Sequence, residues 1–183
     1  SIDCPASDDC KIAYRGGTAR DLLFADCGSA TCGSGTIQLL DGTAGCTLTG
    51  CGAGDIGNYV SLRCITATDC KIVYRDVTNT ATRFADCDSS TNVCDSGTVN
   101  VLDGNTGCTL TNCATTANTG GFGSVYCVSA TDCKTIYFDN ISTTLCHLKF
   151  GDCDSATCGS GTTLTLDGNK IINATTGSVT TTQ

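Results

Sequence analysis

The chain has no Glu, no Met and no Trp, and only one Pro and one His in 183 residues. With Glu and Met missing, two good helix formers are gone, and Thr, Gly, Asp and Cys, all mediocre or poor in helix interiors, fill their place. The lack of Glu also removes the usual bidentate ligand of a calcium loop, and no D-x-D-x-D-G spacing occurs. The longest apolar runs, such as Ile72 to Tyr74, fall far short of a membrane span. Positive charge is sparse: ten cations stand singly between Lys11 and Lys170 in a chain of net charge −8. Nucleic acid is therefore excluded as a partner, since phosphate binding needs clustered Lys and Arg. Without an initiator Met, the chain reads as a mature form whose secretory leader has been removed ahead of Ser1.

What fills the chain is 17 Cys, 22 Gly, 32 Thr and 18 Asp. Cysteine at about one residue in eleven is the signature of a disulfide scaffold and implies an oxidising compartment, extracellular or at a cell surface. The composition predicts an all-β fold.

Internal repetition is the strongest signal. The chain reads D-C-K-I-A-Y-R from Asp9, D-C-K-I-V-Y-R-D from Asp69 and D-C-K-T-I-Y-F-D from Asp132, at intervals of 60 and 63 residues. A second block follows: L-F-A-D-C from Leu23, R-F-A-D-C from Arg83 and K-F-G-D-C from Lys149, each leading through a Cys to Ser-Gly-Thr. A third block, L-L-D-G from Leu39, V-L-D-G from Val101 and T-L-D-G from Thr165, ends each unit on an Asp-Gly turn. The units are 1–60, 61–123 and 124–170, with a Thr-rich tail over 171–183. In the second unit the spacing predicts four antiparallel strands, Val60 to Cys64, Cys70 to Asp76, Thr82 to Cys87 and Thr98 to Leu102. Ile72 and Tyr74 share one face and Val73 takes the other, so the sheet is partly apolar on both faces and needs neighbours on both sides. Propeller-like blades or stacked small sheets satisfy that need.

The cysteines keep the same period, which predicts their pairing. Cys4–Cys10, Cys64–Cys70 and Cys127–Cys133 flank the loop between strands one and two. Cys27–Cys32, Cys87–Cys94 and Cys153–Cys158 bracket the turn between strands three and four, and Cys46–Cys51 and Cys108–Cys113 follow the Asp-Gly turn of the first two units. Each closes a loop of six to eight residues and contributes about 2 kcal/mol in the chain-entropy model. Cys146 is left over, as a free or intermolecular thiol.

Catalytic and metal chemistry find little footing. No C-x-x-C spacing for zinc or haem occurs, and Cys146 with His147 would point to opposite faces of a strand, which excludes a Cys-His pair. The aspartates, such as Asp41, Asp103 and Asp167 before Gly, or Asp86 and Asp88 around Cys87, read as turn-stabilising residues repeated in every unit. No cofactor and no enzymatic activity are expected. Asn140-Ile-Ser and Asn173-Ala-Thr are glycosylation sequons.

The motifs Tyr74-Arg-Asp76, Arg83-Phe-Ala-Asp-Cys87, Ser96-Gly-Thr98 and Leu102-Asp103 resemble β-propeller-type blade repeats of bacterial surface proteins, and more distantly sialidase-type blades. The sialidase Asp-box S-x-D-x-G-x-x-W and a catalytic Arg cluster are absent, so the resemblance implies the blade alone. Three blades are too few for a closed ring. Two chains would close a six-bladed ring, or a head-to-tail, non-closing contact through the terminal strand edges would generate a filament. In the tail, Gly177-Ser178-Val179 echoes Gly123-Ser124-Val125 and is expected to add a strand to the next protomer. The leading expectation is a secreted, self-assembling structural subunit of an extracellular filament or surface appendage. A glycan-binding adhesin or lectin module, with Tyr14, Tyr74 and Tyr137 as its platform, is the alternative, although on the second strand of each unit these tyrosines read first as core or cross-strand packing residues.

Overall fold

The computed structural model of the protein describes residues 1–183 other than 30, 44, 90–92, 143–144, 168–169, 174–177 and 182–183, and the backbone alone of the strand residues within 140–146 and 170–181. Among the described residues every regular element is a β-strand. β1 (Ile2–Ala6), β2 (Asp9–Arg15), β3 (Leu22–Cys27) and β4 (Gly35–Asp41) form an antiparallel meander in that order. β5 (Ile56–Cys64), β6 (Asp69–Asp76), β7 (Ala81–Asp88) and β8 (Gly97–Asp103) repeat it, as do β9 (Thr119–Ser129), β10 (Asp132–Ser142), β11 (Leu145–Cys153) and β12 (Gly161–Asp167). A hairpin of β13 (Lys170–Asn173) and β14 (Ser178–Thr181) joins the third sheet beside β11, Leu145 facing Ile171. The all-β, three-unit reading of the sequence is the observed architecture.

β5 starts earlier than the alternation predicts, at Ile56. The pairing of β5 with β6 shifts register twice before Ser61, and Gly57 and Tyr59 carry positive φ, so the extra residues are bulged and hide their period of two. Gly57 is needed there: a Cβ would stand 3.1 Å from Leu22 Cα of the first sheet, and the matching Gly120 lies as close to Arg75 of the second.

The three sheets pack face to face through two apolar layers. Ile72, Tyr74, Leu62 and Val99 of the second sheet bury against Ala13, Phe24 and Leu40 of the first. On its other face Val73, Phe84 and Leu102 meet Val125 of the third sheet. The predicted alternation of Ile72 and Tyr74 against Val73 is thus what splits one strand between two cores.

All eight predicted disulfides form. Cys10 faces Cys27 across the strands, as Cys70 faces Cys87 and Cys133 faces Cys153, so two cystines lie side by side at one end of each sheet. Those of the second and third sheets are buried in the apolar layers, where they pack as well as cross-link. So many disulfides belong to an oxidising environment. No helix among the described residues is long and apolar enough to cross a membrane.

Candidate assembly surfaces

Each junction between sheets is built around one carboxylate. Asp41, at the end of β4, is fully buried; it accepts hydrogen bonds from the Tyr74 hydroxyl at 2.5 Å and the Arg83 guanidinium at 2.5 Å, both from the second sheet. Its other oxygen accepts from the Gly52 amide. Asp103, at the matching place on β8, takes the Tyr137 hydroxyl at 2.8 Å, Lys149 Nζ at 2.6 Å and the Ala114 amide. A buried charge of this kind is tolerable because both carboxylate oxygens accept hydrogen bonds and a cation stands opposite.

The titration behaviour follows. Burial, helped by the adjoining Asp41 carboxylate, pushes the Tyr74 hydroxyl well above its ordinary value, and burial with Asp103 does the same for Tyr137. For Arg83 burial opposes the charge, but the oxygens of Tyr74, Asp41 and Asp76 outweigh it and raise the guanidinium further.

A second charged cluster recurs on the opposite face, one per sheet. Lys71 lies between Asp69, at 2.6 Å, and Asp86; Lys11 lies between Asp9 and Asp26, and Lys134 between Asp132 and Asp152. The first two lysines are buried by the following unit, whereas Lys134 is 33% exposed. Burial raises the Asp86 carboxyl against the lowering effect of Lys71.

The two outward faces of the stack are what the junctions leave uncovered. On the third sheet the cross-strand row Ser124, Ile136, Phe150 and Leu164 faces away from the second sheet, with Tyr126, Phe138 and Leu166 on the same side. Ile136, Phe138, Leu164, Leu166 and Tyr126 are all 40% exposed or more. On the first sheet the outward row is Ile2, Ile12, Ala25 and Ile37, with Ile2 and Ile37 over 60% exposed. A shallow groove of about 200 Å³ runs beside Ala25, Cys32, Gly35 and Ile37 on that sheet.

Tyr74 and Tyr137 are fully buried with their hydroxyls spent on Asp41 and Asp103, in keeping with packing on the second strand and not with the platform of the alternative; Tyr14 is half-buried. The structure corrects one expectation: the tail is not a lone strand. Ser178 and Val179 pair with Asn173 and Ile172 of the same chain, because Lys170–Asn173 supplies a partner strand that the sequence did not reveal. Gly177 and the side chains of Asn140, Cys146 and Asn173 lie outside the described residues. His147 is half buried on β11 opposite Asp139. Among the described residues no group of three or more His, Cys, Asp or Glu is placed to hold a metal ion.

The junction role of Asp41 and Asp103 was missed by reading them as turn residues. The signal was present in the repeat: a Tyr and a cation, Tyr74 with Arg83 and Tyr137 with Lys149, recur nine and twelve residues apart on adjacent strands of the following unit. Comparison with family models, curated proteins and solved structures gives no match.

Proposed function

We propose that the chain is a non-catalytic, secreted structural protein whose disulfide-clamped sheet units assemble into an extracellular filament or surface appendage. One observation carries this reading: the outward faces of the first and third sheets carry rows of largely apolar side chains, which on the third lie beside the Lys134 cluster. Repeat arrays that end in solution finish on units with a polar outer face. Here the change runs the other way. Arg75 and Asn100, on the covered face of the second sheet, become Phe138 and Leu164 on the third, and Arg83 has Leu23 as its counterpart in the first. An exposed apolar surface of this extent marks an interaction site. The disulfides suit an extracellular part, and the Asp-rich charge keeps the free chain soluble. The likeness of each unit to a propeller-type blade belongs to the same proposal, supported by the four-stranded meanders packed face to face.

Electron microscopy of the native, non-reduced protein tests it. Regular fibres are the expected result. Discrete particles, with a melting temperature that rises on adding sugars, would replace the filament reading with that of a glycan-binding module.

A further inference from the structure

We infer that two copies of the chain join head to tail, the outward face of the first sheet seating on the outward face of the third in the register that the internal junctions already use. This rests on the assembly reading above and specifies its interface. The ground is continuity of one interface through the stack.

At each internal junction a cross-strand row of one sheet lies on a row of the sheet before it. The docking row is Leu62, Ile72, Ala85 and Val99 in the second sheet, and Val125, Thr135, Gly151 and Thr163 in the third. The outward row of the first sheet, Ile2, Ile12, Ala25 and Ile37, matches that of the second position by position in size and polarity. The receiving rows, likewise, are Ala13, Phe24 and Gln38 in the first sheet, Val73, Phe84 and Asn100 in the second, and Ile136, Phe150 and Leu164 in the third. The first two are covered by the next sheet and the last is open.

A directional hydrogen bond fixes the register. The Leu62 amide donates to Ser1 Oγ at 3.1 Å, and the Val125 amide donates to Ser61 Oγ at 3.1 Å. Ser124 is the next serine in this series; it neighbours Ile136 across the strands and is exposed. Ile2 is the residue that corresponds to Leu62 and Val125. Ser1 and Ala13 exchange both backbone hydrogen bonds, so the Ile2 amide points out from the sheet edge, as alternation in an antiparallel pair requires. Seating Ile2 of one copy at Ser124 of another repeats the internal bond. The contact is heterologous and leaves an identical face free on each side, so it propagates.

Two exposed substitutions test the interface from opposite sides. Ile2→Asp places a charge on the docking row and Leu164→Asp places one on the receiving row; at 61% and 60% exposure neither disturbs the fold, which an unchanged melting temperature checks. Sedimentation velocity and microscopy then read assembly. Each variant alone is expected to stay a single chain. Mixed in equal amounts, they are expected to form a two-chain species and stop, because each keeps the face the other lacks. Fibres that persist in both folded variants, or that grow in the mixture, would overturn this interface while leaving the filament reading in place. If the unaltered protein forms no species larger than one chain at any concentration, both fall together.

Discussion

The two internal junctions are the same device made with different parts. Both bury a carboxylate under a Tyr hydroxyl and a cation, but the first uses Arg83 and the second Lys149. Arg83 reaches further, donating also to the Gly50 carbonyl in the segment that links the first two sheets. The latches beside them differ too: Arg15 and Arg20 hold the charged Asp55 before the second sheet, whereas Arg75 holds the neutral Asn118 before the third. The first junction therefore carries more charge, whereas the second adds neutral hydrogen bonds between Thr119 and Thr82 and from Thr119 to the Asp103 carbonyl. The repeat keeps a geometry, not a residue list, and at the position of Arg83 and Lys149 a cation stands where the preceding unit brings a buried carboxylate against it, while the first unit has Leu23 there.

The largest effects come from the shared apolar layers. Phe84 is fully buried between the second and third sheets, and Phe84→Ala is expected to cost about 3–5 kcal/mol. The equivalent Phe150 is only half-buried on the outward face, and Phe150→Ala is expected to cost the unassembled protein about 1–2 kcal/mol. Denaturant midpoints of the two, non-reduced, measure the contrast; equal losses would show that the third sheet's outer face is already covered in the single chain.

Next comes the charge at each junction. Arg83→Leu strands the Asp41 carboxylate in the core and is expected to cost about 3 kcal/mol or more, whereas adding Asp41→Asn to it should recover part of that loss. Lys149→Leu should cost less, because one ammonium is lost rather than a guanidinium that also ties down Gly50. A larger loss for Lys149→Leu would reverse the ranking of the two junctions.

Removing one hairpin clamp, Cys64→Ser with Cys70→Ser, is expected to cost about 2 kcal/mol from the short loop alone. The same change at Cys4 and Cys10, whose cystine is on the outward face and only half buried, should cost that entropy without the packing loss. The difference between the two melting temperatures isolates what the buried cystine contributes to the first junction.

Much of this was readable from the residues because the repeat converts local signals into a period. The strands, the eight cystines and the split of Ile72 and Tyr74 from Val73 all follow from alternation and spacing. What escaped were features that lie between units. The bulged start of β5 breaks the period of two at Gly57 and Tyr59, and a bulge leaves no periodic trace. Asp41 and Asp103 looked like ordinary turn residues because their partners stand 33 and 34 residues later, on another sheet. That Tyr74 and Tyr137 pack on the second strand was legible, but the carboxylates their hydroxyls meet were hidden for the same reason. The β13–β14 hairpin was missed because Lys170–Asn173 has no counterpart in the earlier units.

The latch beside the first junction carries the smallest effect and separates the two junctions by pH. Burial would raise the Asp55 carboxyl, but hydrogen bonds from Arg15 and Arg20 outweigh it and hold the group below its ordinary 3.8. A depressed carboxyl stabilises the fold above the unfolded value, and the contribution is lost as pH falls through the folded one. Acidification below about pH 4 should therefore loosen the segment before the second sheet, while the Arg75–Asn118 latch, with no titrating acceptor, is unaffected. Arg20 is 60% exposed, so the whole contribution stays below about 1 kcal/mol and shrinks with added salt. Hydrogen exchange around Val77, whose amide donates to the Asp55 carbonyl, reads this locally. Its protection should fall with pH in the unaltered protein and stay flat in Asp55→Asn. Parallel curves for the two would show that the latch is held by backbone pairing, and that the two junctions differ only at Arg83 and Lys149.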